Sequence, residues 1–152
     1  MITTETIKEL RAKTGISIMQ CKKALEEAGG DMEKAISILK ELGAVGALKK
    51  GDRTLGAGLI ASYIHSNGKL GTILELACET DFVSGNGEFK QLAHDLAMHI
   101  TASNPDNLET LLEQPFIKDS TIKIRDLVNN AVQKFGEKTE IIRFSRFGLL
   151  EQ

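Results

Sequence analysis

Three histidines and two cysteines are the side chains best suited to metal ligation or nucleophilic chemistry in this chain of 152 residues. Their spacing argues against both. His94 and His99 stand five positions apart in a stretch of helical periodicity, so they do not share a face as ligands four apart would. His65 is distant in sequence, and no third ligand stands beside any of them. Surface or helix-packing histidines are the simpler reading. Cys21 falls on the apolar face of a predicted helix and Cys78 at the end of a predicted strand, so both read as small buried hydrophobes. Two cysteines outside any C-x-x-C pair fit a reducing, cytoplasmic compartment. The chain carries no G-x-S-x-G, H-E-x-x-H or Walker pattern. The expectation is a protein that is not an enzyme, with no metal and no cofactor.

Other groupings suit binding rather than bond-making. Ser84-Gly85-Asn86-Gly87 ahead of a predicted helix has the composition of an anion-binding nest, but no Lys-Ser/Thr follows to hold a phosphate and its metal, and a turn into the helix is the plainer reading. Lys49, Lys50 and Arg53 suit either an acidic partner or a solvated linker. Thr80-Asp81-Phe82-Val83 puts an aromatic at the tip of a strand-to-helix loop, where it tucks into its own core or protrudes as an anchor for a partner. The physics of the loop alone favours the tucked placement. Arg11, Met19 and Lys22 lie off the apolar stripes of their helices, on solvated surface or on a face for a partner.

Bulk composition narrows the partners. Lys and Arg total 19 against 21 Asp and Glu, for a net charge of -2, which disfavours the basic field that direct nucleic-acid binding needs. The first residues show no basic segment followed by an apolar one, and the longest apolar stretches, such as Leu59-Ile60-Ala61, are far too short to span a bilayer.

The elements that position these residues are legible from periodicity. Thr4 is placed to cap a first helix carrying Ile7, Leu10 and Thr14 on one face, with Gly15 as its stop. Ser17 and Gln20 form an S-x-x-Q capping box for a second, whose apolar face is Ile18, Cys21, Ala24, Leu25 and Ala28. Asp31 caps a third, with Met32, Ala35, Ile36 and Leu39 inward and Gly43 as its expected end. Residues 44–53 read as a hinge or as an exposed continuation of that helix. The period then drops to two. Leu59, Ala61 and Tyr63 alternate with Ile60, Ser62 and Ile64, Asn67-Gly68 predicts a type I′ hairpin, and Leu70 to Cys78 forms the return strand. Phe89, Leu92, Ala93, Leu96, Ala97 and Ile100 define a long helix ended by Asn104-Pro105. A short helix over 108–113, a helix from Leu127 to Phe135 stopped by Gly136, and a strand around Ile142 and Phe144 complete the chain. The expected class is α+β: three N-terminal helices (1–45), a linker (46–55), and a core (56–152) with an antiparallel three-stranded sheet packed with helices.

At this point the chain resembles the elongation factor Ts family. Leu10-Arg11-Ala12-Lys13-Thr14-Gly15 and Met19-Gln20-Cys21-Lys22-Lys23-Ala24-Leu25 resemble its N-terminal signature, continued by Gly29-Gly30-Asp31. Tyr63-Ile64-His65, Glu79-Thr80-Asp81-Phe82-Val83 and the run from Leu92 to Ile100 resemble its central motifs, and Leu111 to Asp119 and Arg143-Phe144 its C-terminal ones. The resemblance implies a ubiquitin-associated-like N-terminal domain ahead of a dimerisation core. It implies guanine-nucleotide exchange on the translation GTPase elongation factor Tu, with Thr80, Asp81, Phe82 and Val83 reaching that GTPase and disturbing its magnesium site. Arg11, Met19 and Lys22 hold the matching docking positions, and the helix bearing His94 and His99 meets the partner or a second subunit. Short members resemble half of the long ones, which implies a homodimer. Two departures stand out: Asn104-Pro105 reaches Leu111 almost directly, where the family places a helical segment, and Ser84-Gly85-Asn86-Gly87 replaces bulkier, charged residues. Two rival readings remain: a ribosome- or chaperone-type binding module that leaves nucleotide release unchanged, and a phosphate-binding enzyme built on residues 84–87.

Overall fold

The computed structural model of the chain describes residues 2–151 and, of Lys49, the backbone alone. The chain forms two compact units, Met1–Asp52 with Asn129–Gly136, and Arg53–Val128 with Glu137–Gln152.

The first unit is helical: α1 (Thr4–Thr14), α2 (Ile18–Glu27) and α3 (Met32–Lys49). The cap of α1 falls on Thr3, one residue ahead of Thr4. The Thr3 hydroxyl accepts the Thr6 N–H while the Thr6 hydroxyl accepts the Thr3 N–H, a reciprocal capping box. Gly15 closes α1 at φ 70°, a left-handed conformation that glycine adopts without penalty. Ser17 caps α2 by accepting the Gln20 N–H, but the expected return bond from Gln20 is replaced: its side chain accepts from the Gln133 amide instead. Asp31 caps α3 through the Lys34 N–H. Leu10, Ile16, Cys21, Ala24, Leu25, Ala35 and Leu39 form the core of this unit.

Two expectations fail here for packing reasons. Gly43 does not end α3, which runs to Lys49. A glycine stops a helix where it turns left-handed, and Gly43 keeps a negative φ. It serves proximity instead: a Cβ there would lie 3.2 Å from the Asn129 carbonyl oxygen. Ile18 is exposed rather than part of the apolar face of α2, which leaves it beside exposed Met19.

The second unit contains β1 (Ala57–Ile64), β2 (Leu70–Cys78), α4 (Asp81–Ser84), α5 (Gly87–Ser103), α6 (Leu108–Glu113), β3 (Pro115–Phe116), β4 (Asp119–Lys123), the start of α7 (Ile124–Phe135) and β5 (Glu140–Gly148). The fold is α+β. The sheet has the order β1-β2-β5 and is antiparallel throughout. Its register pairs Leu59 with Leu76 and Ala61 with Leu74, one face of alternation against which α5 packs. Phe89, Leu92, Ala93, Leu96, Ala97 and Ile100 are all buried, as the helical period requires. The Thr72 and Thr101 hydroxyls meet at 2.7 Å in this interior, a buried polar pair satisfied by its own partner.

The other face of the sheet stays uncovered by the described residues of this unit. Ile64 and Phe147 flank Gly71 in one row across the three strands, with Ile73 and Ile60 nearby on the same face, and all four apolar side chains are exposed. The β1–β2 connection sits at Asn67-Gly68 but is not type I′, because only Gly68 has positive φ there. The Gly68 N–H donates to the His65 carbonyl at 2.7 Å and the Lys69 N–H to the Asn67 side chain at 2.9 Å, so Asn67 supports a wider turn through its amide. The small β3–β4 hairpin carries no alternation of its own and is not evident from the sequence. It and α6 follow Asn104-Pro105 directly.

Candidate functional site

The candidate site is the Asp81–Ser84 turn, and it is built from the strand end that precedes it. β2 finishes at Cys78, whose thiol donates to the Thr80 carbonyl at 3.3 Å. Burial pushes that thiol upward, with the Glu137 carboxylate acting in the same direction, so it is a protonated structural donor. Glu137 then takes hold of the next two residues. Its Oε1 accepts the N–H groups of Glu79 (3.1 Å) and Thr80 (3.0 Å), and its Oε2 accepts the Thr80 hydroxyl at 2.6 Å. Glu79 returns the tie: its carboxylate accepts the Lys138 backbone N–H and pairs with the Arg53 guanidinium at 3.3 Å. Arg53, read from sequence as a candidate for an acidic partner, is thus engaged within its own unit.

From this clamp α4 makes a single turn. Thr80 occupies the N-cap position but gives its helix no side-chain bond, because its hydroxyl is committed to Glu137. The turn closes when the Gly85 N–H reaches the Asp81 carbonyl at 2.9 Å, and Asn86 starts α5 by accepting the Glu88 N–H at 2.8 Å. Gly85 is right-handed and Gly87 lies within α5, so residues 84–87 lack the left-handed step of an anion-binding nest and form a turn between two helices. Val83 and Ser84 face inward at 9% exposure each, whereas Phe82 is 93% exposed. The tucked placement that loop physics favoured is therefore wrong. Asp81 and Thr80 are exposed beside Phe82.

The remaining predicted site residues fall as follows. Arg11, Met19 and Lys22 are all exposed on the helical unit, with Met19 at 70%. His94 is exposed on α5, with its ring edge-on to Tyr63 at 5.7 Å between centroids. His99 is 0% exposed and presents no side-chain surface to a partner. It accepts the Ile117 N–H at Nδ1 (3.2 Å), which leaves the proton on Nε2 to donate to Gln114 Oε1 at 2.9 Å. Burial lowers its basicity, with the Gln114 bond opposing in part. His99 ties β3 to α5, and its burial follows from that role. Among the described residues, no group of His, Cys, Asp and Glu has the geometry to hold a metal ion.

Sequence reasoning missed Glu79 and Glu137 as the residues that set the Phe82 turn. Glu79 offered a signal, since it opens the Glu79-Thr80-Asp81-Phe82-Val83 motif. Glu137 offered none, being 57 positions from Thr80.

The fold is α+β, with three N-terminal helices ahead, in the chain, of an antiparallel sheet unit that holds Phe82 out to solvent. The sequence model of the family described as elongation factor TS matches residues 3–110 and 79–151. The chain is 42% identical over 190 aligned positions to elongation factor Ts of Thermodesulfovibrio yellowstonii, across 96% of this chain and 95% of that protein. It is 38% identical over 193 positions to elongation factor Ts of Thermotoga petrophila, across 99% and 97%. With elongation factor Ts of Clostridium acetobutylicum it shares 44% identity over 147 positions, 97% of this chain but 48% of that protein. The chain belongs to the elongation factor Ts family, whose role in translation elongation is nucleotide exchange. An alignment of 190 positions against 152 residues also means that relatives carry segments this chain lacks, in keeping with the short path from Pro105 to Leu111.

Proposed function

We propose that this protein accelerates GDP release from elongation factor Tu in the cytoplasm, with Phe82 as the wedge that disturbs the magnesium site of the GTPase. The observation that carries this reading is Phe82 itself. A large apolar side chain is held 93% exposed by a turn clamped on one side and anchored by Val83 on the other. Leaving an aromatic in water forfeits about 1.5–3 kcal/mol of burial, which a partner's pocket would recover. Asp81 precedes it with an exposed carboxylate, a group suited to a magnesium environment, where a displaced ion is the strongest local charge.

Exchange is a linkage problem. A factor that prefers the nucleotide-free GTPase weakens nucleotide binding by the same ratio, and a thousandfold effect requires about 4 kcal/mol of coupling. One phenylalanine falls short of that figure, so the remaining affinity is assigned to the N-terminal unit, where Arg11, Met19 and Lys22 are exposed. The uncovered apolar sheet face, with Ile64, Ile73 and Phe147, supports a homodimer in which a second copy covers it. His94 belongs to the partner-facing or dimer-facing surface.

The test is the release of labelled GDP from elongation factor Tu with and without the protein. Catalytic amounts should accelerate release manyfold while no small molecule is turned over. Release that stays at its intrinsic rate under saturating protein refutes the proposal and leaves the binding-module reading.

A further inference from the structure

We infer that Glu137 is the positioning residue of the Phe82 turn. Its carboxylate fixes the backbone from which α4 starts, and so the direction in which Phe82 leaves the surface. The inference rests on Phe82 acting as the exchange wedge.

The geometry separates this role from ordinary strand support. A helix of four residues, Asp81–Ser84, is too short to hold its own axis, since a single turn fixes several dihedrals for very few bonds. Its orientation must come from its ends. At the far end, Val83 and Ser84 are buried and Asn86 caps α5. At the near end, one carboxylate gathers the Glu79 N–H, the Thr80 N–H and the Thr80 hydroxyl, all within 3.1 Å. Charge-assisted bonds of this kind are shorter and stronger than neutral ones. The threonine at the N-cap would ordinarily serve its own helix, yet α4 has no side-chain cap. The capping group has been diverted to an outside anchor, which locks rotation of the turn against the segment leading into β5. Glu79 makes the reverse tie to the Lys138 N–H, so the two strand ends hold each other from both sides. A wedge acts only if its tip arrives in place, and displacement by about 1 Å is enough to lose on the order of a hundredfold in rate.

A merely structural Glu137 and a positioning Glu137 differ in how they combine with Phe82. The experiment uses the full chain with Glu137→Ala, Thr80→Val, Phe82→Ala and the Glu137→Ala/Phe82→Ala pair. For each variant, the maximal rate of labelled GDP release from elongation factor Tu and the half-saturating concentration of the factor are measured. Amide hydrogen exchange at Thr80 is followed in the free protein. Glu137→Ala is expected to lower the maximal rate by about tenfold, with the half-saturating concentration moving by less than about twofold. In the Phe82→Ala background the same substitution should cost nothing further. Thr80→Val, which deletes the hydroxyl bond alone, should give a smaller loss in the same direction, and it carries the test if Glu137→Ala fails to fold. A folded Glu137→Ala protein with an unchanged maximal rate overturns the inference. So does an undiminished loss in the Phe82→Ala background. Wild-type release by Phe82→Ala overturns the wedge reading instead, and Thr80 amide exchange then judges the clamp on its own: no acceleration in Glu137→Ala means that Glu137 does not hold the turn.

Discussion

Phe82 and Val83 are covalent neighbours that α4 sends in opposite directions, the phenylalanine 93% and the valine 9% exposed. Successive residues on a helix diverge by about 100°, and in this single turn the inward side is taken by Val83 and Ser84, which leaves Phe82 outward. The two truncations should therefore separate function from stability. Phe82→Ala should melt within about 0.5 kcal/mol of wild type, because an exposed side chain contributes little to the core. It should slow stimulated GDP release by up to about a hundredfold, equivalent to about 3 kcal/mol of barrier. Val83→Ala should instead lower stability, by about 1.5–3 kcal/mol through lost burial and a residual cavity. Normal release by Phe82→Ala together with a strongly lowered melting temperature would return Phe82 to the core.

The helical unit should supply affinity more than rate. Lys22 is exposed on α2 and Arg11 on α1, clear of the core formed by Leu10, Cys21 and Leu25. Lys22→Glu should weaken binding to elongation factor Tu by roughly three- to tenfold, chiefly through slower association, and should flatten its salt dependence. The melting temperature should not move. Wild-type affinity by titration calorimetry would remove Lys22 from the interface.

Where a residue's placement follows from its near neighbours, the sequence was sufficient. The stripe from Phe89 to Ile100 and the alternation from Leu59 to Tyr63 each repeat with the period of their element: the first is buried throughout, and the second appears as half-buried residues alternating with exposed ones. Gly43 shows where local reading stops: glycine is common both at helix ends and at close helix contacts, and only the approach of the Asn129 backbone distinguishes them. Asn67-Gly68 located a turn without fixing its type, because five residues separate the strands and the Asn67 side chain supports a wider loop. At the candidate site, the motif residues were legible but the side on which Phe82 emerges was not. That choice depends on Val83 finding a core and on Glu137, remote in sequence, engaging Thr80.

His99 makes stability depend on pH. It is buried and neutral, with Nδ1 accepting from the Ile117 N–H, and burial lowers its pKa below the ordinary 6.5. The unfolded chain therefore binds a proton that the folded chain refuses as pH falls below 6.5. Stability is unaffected by this group above that value, declines below it at up to about 1.4 kcal/mol per pH unit, and levels off once the folded-state pKa is passed. Denaturant unfolding at pH 7.5 and pH 5.5 should show the decline in the wild type. His99→Gln should be less stable at the higher pH, through lost bonds to Gln114 and Ile117, yet show a shallower decline. Equal slopes in the two proteins would exclude His99 as the source.

The open sheet face offers the last prediction. Gly71 sits between Ile64 and Phe147 in one row, and a Cβ at Gly71 would approach the Ile64 Cδ1 within 2.6 Å, so Ile64 leans across the central strand. Ile73 continues the apolar surface along β2, and the exposed Leu149 and Leu150 follow β5 at its end. Contiguous apolar surface of this kind marks an interaction site, and a second copy would also screen the edge strands β1 and β5. Ile73→Asp places a charge in the middle of that surface without touching the α5 side of the sheet. Burying an unpaired carboxylate in a dimer interface costs several kcal/mol, enough to raise the dimer dissociation constant by a hundredfold or more, on the order of 3 kcal/mol. Sedimentation across micromolar concentrations should show a dimer for the wild type and a folded monomer for Ile73→Asp. A wild-type protein that remains monomeric over that range, with full exchange activity, would refute the homodimer.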